Sequence, residues 1–500
     1  MGQQVAKERF SEDEYARFGR RLEDCLLALR ELLSRPGFGA GPASVGAELE
    51  LFLIDEGGRP LRRNKEVREA AADERVVLEL GSFNLEVNLT PLPLAGRPFS
   101  AMEDEARLLI GLVDQAARTH GGRVVPIGIL PTLSEFDFTR DAISDEVRYR
   151  ALSRGMRRVR DEPYRVRIDG AERLDLEVED VILESANTSW QVHLRTSPGD
   201  FARVHNAAQL AIGPVLAVSG NSPSFLGREL WEETRIALFE ASADDRDAER
   251  PWRVAGRVSF GSGWVRSGAE ELFEQSVREY EPVMPVTSDE DPLAVVRAGG
   301  VPGLAELRLH QGTVWQWNRP VYDPADGGHL RVELRALPAG PTCADMAANA
   351  AFLLGLVAAS AANPGWIEDF PFADAYRNFY RAARGGLDAV LAWPGRPESV
   401  PASELVLDLL PVAHDGLLGV GVAEDEARER LAVIRERVRA GRTGAVWQRR
   451  ALAALGEEPN ARAAMLARYR ELAHGGEPVH TWPDMEPLSM VAAETARPAL

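Results

Sequence analysis

Carboxylate, imidazole and guanidinium side chains recur at every second position in four short stretches of this sequence. The stretches are 47–51, 83–89, 190–194 and 332–336, and their polar members include Glu48, Glu50, Glu86, His193 and Glu333. Because residues two apart in a β-strand point to the same face, each stretch would have one apolar face and one polar face. Carboxylates crowded on one face repel each other unless cations or raised pKa values relieve the repulsion. The pattern therefore predicts a metal-dependent enzyme.

The donor atoms of this polar face indicate which metal it would bind. Asn84, Glu86 and Asn88 share a face of the second stretch. Asn and Glu are poor strand formers, so three of them on one face of a strand indicate a bound ligand. Oxygen ligands with a single imidazole favour Mg²⁺ or Mn²⁺ over zinc. The alternative is an ordinary amphipathic strand with solvent-exposed glutamates. Phe52 and Ile54 share the face of Glu48 and Glu50, which favours a lined cavity.

Glu333 lies between Arg331 and Arg335 on the predicted polar face of the fourth stretch. One interpretation is a cross-strand salt bridge, which stabilises little at a surface. The other is a metal ligand beside a phosphate clamp, since a guanidinium binds phosphate through two hydrogen bonds.

Composition excludes several classes of protein. The 500 residues carry a net charge of −19, which argues against nucleic acid or an anionic membrane as a partner. Two cysteines exclude a disulfide framework and fit a cytoplasmic location. Lys7 and Lys65 are the only lysines, and neither lies in a Walker-A motif or a kinase-like strand, or at a position suited to a pyridoxal Schiff base. Arginine and metal would have to bind any phosphate.

Alternating stretches interleaved with helices predict an α+β fold with an antiparallel sheet and one polar face. Helices are predicted near 11–35, 98–119 and 343–360, and a further polar-faced strand near 306–310. Residues 131–180 are predicted to be irregular and to form a lid with Tyr149. The apolar run 346–367 is predicted to be a buried helix rather than a membrane span. We expect a catalytic domain at 1–365 and a helical C-terminal region at 366–500.

The segments 46–52, 84–89, 191–193, 219–223 and 333–335, in this order, resemble the glutamate–cysteine ligase type 2 family. That family belongs to the carboxylate–amine ligase group, which also contains glutamine synthetase. Segment 310–342 and the shorter segments 443–448 and 478–482 resemble a bacterial branch of the family, so the likeness covers most of the chain.

This resemblance implies an antiparallel sheet curled into a funnel that holds ATP and Mg²⁺. ATP would phosphorylate a carboxylate, and an amine would displace the phosphate to form an amide. The resemblance assigns the residues as follows: Glu48, His193 and Glu333 to the metal that bridges the ATP phosphates; Glu50 and Glu86, aided by Asn88, to a metal near the substrate carboxylate; Arg335, with Glu333, to the transferring phosphoryl group; Arg319 and Arg331 to phosphate or carboxylate binding; and Asn221 and Arg235 to substrate or nucleotide binding.

The sequence departs from the family pattern at Gly220, where alanine is more usual, and shows no dedicated cysteine-binding element. The predicted partners are therefore a small-molecule carboxylate, glutamate-like in character, and an amine. A homo-oligomer is compatible with the sequence. Two alternatives stay open: a phosphotransferase of the guanidino-kinase type on the same scaffold, and a non-catalytic nucleotide-binding protein.

Overall fold

A β-sheet lies at the centre of the molecule in the computed structural model, which describes residues 5–160, 162–246, 255–456 and 458–486. The strands are β1 (Ser44–Asp55), β2 (Val76–Leu78), β3 (Asn84–Asn88), β4 (Leu92–Pro93), β5 (Gly122–Val125), β6 (Tyr164–Asp169), β7 (Arg173–Val178), β8 (Trp190–Thr196), β9 (Ser224–Phe225), β10 (Arg228–Glu229), β11 (Asn318–Asp323), β12 (His329–Leu334), β13 (Val390–Leu391) and β14 (Val400–Pro401).

Eight of these strands form one sheet in the order β11-β12-β8-β1-β3-β2, with β4 and β5 also paired to β1. Every pairing in this sheet is antiparallel. The four stretches with alternating polarity lie in β1, β3, β8 and β12, which are consecutive neighbours in the sheet. The predicted antiparallel sheet of an α+β fold is confirmed.

Helices pack on the apolar face of the sheet and make up most of the C-terminal region that the structure describes. They are α1 (Glu12–Leu33), α2 (Asn64–Ala71), α3 (Pro98–Thr119), α4 (Val147–Val159), α5 (Phe201–Ser219), α6 (Arg235–Ser242), α7 (Ala269–Glu279), α8 (Pro292–Arg297), α9 (Ala305–Gln311), α10 (Cys343–Ala361), α11 (Gly365–Glu368), α12 (Phe372–Gly385), α13 (Ala402–Gly419), α14 (Glu424–Ala440), α15 (Gly444–Leu455) and α16 (Ala461–Gly475).

Burial of alternate residues explains why β1 forms the middle of the sheet. Leu49, Leu51 and Leu53 are fully buried, and they share the face opposite Glu48 and Glu50. Helix α3 packs on β1, and α5 packs on β12 and on α10. Each buried leucine contributes about 1.5–3 kcal/mol to folding, so a one-residue slip in register would be costly. This apolar face fixes which side chains the opposite face presents.

Helix α10 is the predicted buried helix. It is long and apolar enough to cross a membrane by composition alone, but most of it is buried inside the molecule. It packs against α5, α13 and α14. Glycines allow the closest of these approaches, because a Cβ atom on Gly416 would lie 2.1 Å from the carbonyl oxygen of Gly355. The helix is therefore a core element.

Residues 366–486 are mainly helical where the structure describes them, as predicted, with one short ribbon of β13 and β14. Helices α13 and α14 pack directly on α10, so this region shares its apolar core with the rest of the molecule. The division into 1–365 and 366–500 stays a prediction.

Two element predictions are wrong. Residues 305–311 form helix α9 instead of a strand, and five of its seven residues are buried, including Glu306 and His310. A short alternation of polar and apolar residues cannot distinguish a strand from a helix that is buried all round. Residues 131–180 are not irregular, since they contain α4 and a regular β6–β7 ribbon.

Candidate active site

The register of the sheet brings the predicted site residues into three adjacent rows. Glu333 pairs with Arg319 on one side and with His193 on the other. Glu48 pairs with Gln191 and Asn88 in the next row, and Glu50 pairs with Glu86 in the third. Residues separated by up to 285 positions in the sequence, from Glu48 to Glu333, thus meet on one face.

Glu48, His193 and Glu333 form a cluster that could hold one cation, because ligand atoms from all three lie within 4.8 Å of one another. Nε2 of His193 is 3.2 Å from Oε1 of Glu48 and 3.7 Å from Oε1 of Glu333. His193 is buried, and neither ring nitrogen makes a hydrogen bond to any residue that the structure describes. The two carboxylates that converge on this imidazole repel each other, so the donor set fits a divalent cation.

Two guanidinium groups flank Glu333. Arg319 donates two hydrogen bonds to its carboxylate, one of them through Nη2 at 2.9 Å, and Arg335 Nη1 lies 3.2 Å from Oε1. Burial alone would raise the pKa of Glu333, but Arg319, Arg335 and His193 outweigh burial and hold the pKa far below its ordinary value. Glu333 is therefore an anion at any physiological pH.

Glu50 lies two residues after Glu48 on β1 and has a different environment. Its carboxylate accepts hydrogen bonds from the Ser189 backbone N–H at 2.7 Å, the Ser189 hydroxyl at 2.9 Å and Gln191 Nε2 at 2.8 Å. Gln191 in turn accepts a hydrogen bond from Arg335 Nη1. Glu50 and Arg335 are therefore held in fixed positions through one shared amide.

Acidic neighbours dominate the environment of Glu86. Burial raises the pKa of Glu86 well above its ordinary value, and Glu48, Glu79 and Glu50 raise it further. Burial also raises the pKa of Glu50, partly offset by Arg335 and Arg235. Asn88 Nδ2 donates a hydrogen bond of 2.9 Å to Glu86. A second cation between Glu50 and Glu86 would relieve this repulsion.

A cavity of about 1150 Å³ opens over this face. Its acidic side includes Glu48, Glu50 and Glu86, and its basic side is lined by Arg308, Arg319, Arg331 and Arg335. Arg331 also forms an ion pair of 3.3 Å with Asp323. His193 and Glu333 lie beneath the lining, in contact with Glu48 and Arg319. The cavity is large enough for a nucleotide beside a small substrate.

Asn221 and Arg235 are not brought to this cavity. Asn221 is fully buried, and its Nδ2 donates to the Ala339 carbonyl at 2.7 Å and to the Tyr469 hydroxyl at 2.8 Å. Arg235 donates to the backbone carbonyls of residues 335–337 and pairs with Glu233. Both side chains therefore support the backbone behind Arg335.

Glu79 and Glu184 line the cavity and were missed by sequence reasoning. Burial raises the pKa of Glu79 to about 7, and Glu50 adds to the shift. The alternation in Val77-Leu78-Glu79-Leu80 is a signal that could have indicated Glu79, which follows β2. Glu184 lies in a 3₁₀ turn, Val181–Ala186, where no periodic pattern marks it.

Comparison with known proteins agrees with this architecture. The model of glutamate–cysteine ligase family 2 matches residues 44–471. No curated protein sequence matches the chain. The solved structure of a glutamate–cysteine ligase from Francisella tularensis, in complex with AMP, is similar with a TM-score of 0.55 and 11% identity, over 91% of this chain and 92% of that chain. A bifunctional glutathione synthetase from Pasteurella multocida gives a TM-score of 0.49 at 11% identity, over 91% of this chain and 55% of that chain. The first likeness shows a shared fold.

Proposed function

Since this chain belongs to glutamate–cysteine ligase family 2, we propose that it is an ATP- and Mg²⁺-dependent ligase that joins a small-molecule carboxylate to an amine. The reaction would pass through an acyl phosphate. A γ-phosphoryl group moves from ATP to a carboxylate oxygen, and the amine nitrogen then attacks the carbonyl carbon as the C–O bond to phosphate breaks. Glutamate–cysteine ligase activity is one form of this reaction.

The observation that carries the proposal is the juxtaposition of the Glu48–His193–Glu333 cluster with Arg319 and Arg335 at one large cavity. Phosphoryl transfer needs charge neutralisation and alignment more than covalent participation by the protein. Arg319, Arg335 and a cation held by the Glu48–His193–Glu333 cluster would neutralise the charge, and the sheet that positions them would supply the alignment. The AMP in the Francisella structure supports a nucleotide in a fold of this kind.

Each residue then has a physical role. Glu48, His193 and Glu333 would hold one Mg²⁺, and Glu50 and Glu86 with Asn88 would hold another. Bound Mg²⁺ supplies positive charge to the phosphate oxygens. Arg335, whose Nη2 makes no hydrogen bond to a described residue, would bind the transferring phosphoryl group. Arg319 keeps Glu333 in place, and Arg331, which lines the cavity, would add positive charge for binding of phosphate groups.

A cytoplasmic location fits a reaction that consumes ATP. It also fits a chain whose two cysteines are both unpaired, one of them buried. Burial raises the pKa of the Cys343 thiol to about 12, so this thiol is not an activated nucleophile. Phosphoryl transfer through carboxylates and guanidinium groups needs no thiol.

Hydroxylamine trapping tests the proposal directly. The purified protein is incubated with ATP, Mg²⁺, hydroxylamine and a panel of amino acids and other carboxylates that includes L-glutamate. We expect ATP-dependent hydroxamate with at least one carboxylate, because hydroxylamine intercepts an acyl phosphate. A stable phosphorylated product without any amine would instead identify a phosphotransferase. ATP binding without ADP release would identify a non-catalytic protein.

Glu333→Gln is the matched inactive control for this assay. It keeps the shape of the side chain but removes the charge that the two arginines and the cation site require. We expect the hydroxamate rate to fall by about 10²–10³-fold, the usual loss for one preorganised electrostatic group. Glu177→Gln, an exposed change on β7, should keep the wild-type rate.

A further inference from the structure

A second, smaller pocket lies on the other side of β11 from the candidate active site. Its walls come from α5, α7, residues 260–265 and Asn318 at the start of β11, and its volume is about 50 Å³. Within the described part of the chain, it shares no lining residue with the large cavity. Arg319, the next residue of β11, lines the large cavity, so adjacent side chains of one strand face two separate sites. The mechanism proposed above gives the smaller pocket no role.

The side-chain amide of Asn318 is buried in this pocket without a hydrogen bond. Asn318 is 3% exposed, and neither its Oδ1 nor its Nδ2 bonds to a residue that the structure describes. The buried amide of Asn378, by contrast, uses both of its atoms, at 2.7 and 2.9 Å from the backbone of Ala392. An unpaired amide in the interior costs stability, so a ligand or ordered water must complete the bonds of Asn318.

Two residues of α5 add unpaired acceptor atoms to the pocket. Gln209 Nε2 donates a hydrogen bond of 2.9 Å to the Phe260 carbonyl, which leaves Gln209 Oε1 as an acceptor with no partner among the described residues. His205 Nε2 lies 3.1 Å from the Asn318 carbonyl oxygen and therefore carries the proton, so the unpaired Nδ1 is an acceptor. The pocket thus offers a ligand one donor, Asn318 Nδ2, and three acceptors.

Charge in the pocket argues against an ionic ligand. Glu271 is the one charged residue among the described lining residues. Burial alone would raise its pKa, but the backbone N–H groups of Ser267 and Arg266, at 2.9 and 2.8 Å from Oε2, hold the pKa below its ordinary value. An anionic ligand would be repelled by Glu271 and would meet no basic side chain. A cation that can only donate hydrogen bonds would leave Asn318 Nδ2 unpaired.

We propose that this pocket binds a small ligand that carries an uncharged primary carboxamide, –CO–NH₂. The ligand oxygen accepts a hydrogen bond from Asn318 Nδ2, and the two N–H groups donate to Asn318 Oδ1 and Gln209 Oε1. The volume holds about four water-sized groups, which matches a carboxamide and the carbon attached to it. Ser262 is the exposed residue of the lining, so the rest of a longer ligand would extend past it. This site does not depend on the proposed ligase function.

Saturation-transfer difference NMR on the full-length protein tests the proposal with four matched probes. Acetamide carries the carboxamide, N,N-dimethylacetamide lacks the two N–H donors, acetate is anionic, and methylammonium is a cation that only donates. We expect saturable binding of acetamide with a Kd of about 1–10 mM, as befits a ligand of four heavy atoms. The other three probes should bind at least tenfold more weakly, because each leaves hydrogen-bonding atoms of the pocket unpaired.

Variants assign the binding to this pocket. Asn318→Leu keeps the size of the side chain and should weaken acetamide binding at least tenfold. It breaks no hydrogen bond to the described chain, so its melting temperature should equal or exceed that of the wild type. Gln209→Met is an independent variant with the same expected loss of binding. Asn460→Leu makes the matched change at an exposed position before α16 and should bind acetamide as the wild type does.

Three results would overturn the proposal: no binding of acetamide to the wild type, unchanged binding in both Asn318→Leu and Gln209→Met, or equal binding of methylammonium. The first result would mean that ordered water completes the hydrogen bonds of Asn318. None of these outcomes bears on the hydroxamate assay, so the ligase proposal is tested separately.

Discussion

Buried carboxylates in this molecule differ in pKa according to the groups beside them. Glu333 is flanked by Arg319 and Arg335, and its pKa lies far below the ordinary value. Glu86 is less completely buried and has acidic neighbours, and burial together with these neighbours holds its pKa well above the ordinary value. The first group is therefore an anion before any ligand binds, whereas the second becomes a good ligand when a cation displaces its proton.

Glu240 on α6 shows the same physics away from the cavity. Its Oε1 accepts hydrogen bonds from Trp317 Nε1 at 2.9 Å and from the Tyr380 hydroxyl at 2.7 Å. Burial raises the pKa of Glu240 from 4.5 to about 7, although these two bonds oppose the shift. The folded state therefore holds a proton that the unfolded chain releases at lower pH. This contribution to stability is present below pH 4.5 and is lost as the pH rises through about 7.

We predict that Glu240→Gln becomes more stable relative to the wild type as the pH rises from 4.5 to 8. The amide keeps an acceptor oxygen for Trp317 and Tyr380 but never has to lose a proton. The relative gain should approach about 3 kcal/mol, because each unit of pKa shift corresponds to about 1.4 kcal/mol. Urea unfolding of both proteins at pH 5 and pH 8 measures it. A stability difference that is the same at both pH values would contradict the prediction.

The residues that the sequence identified are those whose chemistry repeats with strand periodicity. Glu48, Glu86, His193 and Glu333 were found because a polar residue alternates with a leucine or valine on each strand. Glu184 was not found because a 3₁₀ turn has no such period. Asn221 was assigned to a ligand from resemblance, but four hydrogen-bond partners enclose it, and only tertiary structure shows them.

At the scale of elements, a buried ion pair joins α10 to α14 behind the sheet. Arg437 Nη2 donates to Asp345 at 2.8 Å, and its Nη1 donates to Asn349 at 2.6 Å. Asp345 also accepts hydrogen bonds from the Thr342 hydroxyl and the Val479 N–H. The ion pair therefore connects α14 and the backbone at Val479 to the start of α10. Helix α10 is the next element after β12 and Arg335.

We predict that Arg437→Met lowers the free energy of unfolding by about 3–5 kcal/mol, because it leaves the Asp345 charge buried without its counterion. Adding Asp345→Asn should recover part of this loss, since the amide needs no counterion. Urea unfolding of both single variants and the double variant measures the coupling. Losses that simply add would show that the two charges do not interact.

Some elements were predictable and others were not, for reasons visible in their burial. Helices α1 and α3 each have one apolar stripe, so their helical period shows in the sequence. Helix α9 is buried on most sides, so it has no such stripe and was taken for a strand. Strands β6 and β7 do alternate, in the pattern of Tyr164, Val166 and Ile168, but the many arginines of this region hid the pattern.

For the molecule as a whole, one face of the central sheet packs into the core and the other face presents the candidate site. The apolar face packs on α3 and α5, which pack in turn on α10, and this packing fixes the register. The register sets the positions of Glu48, His193 and Glu333 on the polar face. The α+β class follows from the alternating stretches. How the C-terminal helices pack could not be inferred from the sequence, because contacts such as Gly355 on Gly416 join helices with no shared pattern.

The central claim is that these strands hold divalent cations that bind ATP in the cavity. Isothermal titration of ATP into the wild type, with Mg²⁺ and then with EDTA, measures it most directly. We predict at least tenfold tighter binding with Mg²⁺, a gain that His193→Ala abolishes and that the control His414→Ala on α13 retains. The acidic side of the cavity would otherwise repel the triphosphate. Equal affinity with and without Mg²⁺, or a full Mg²⁺ effect in His193→Ala, would contradict the account.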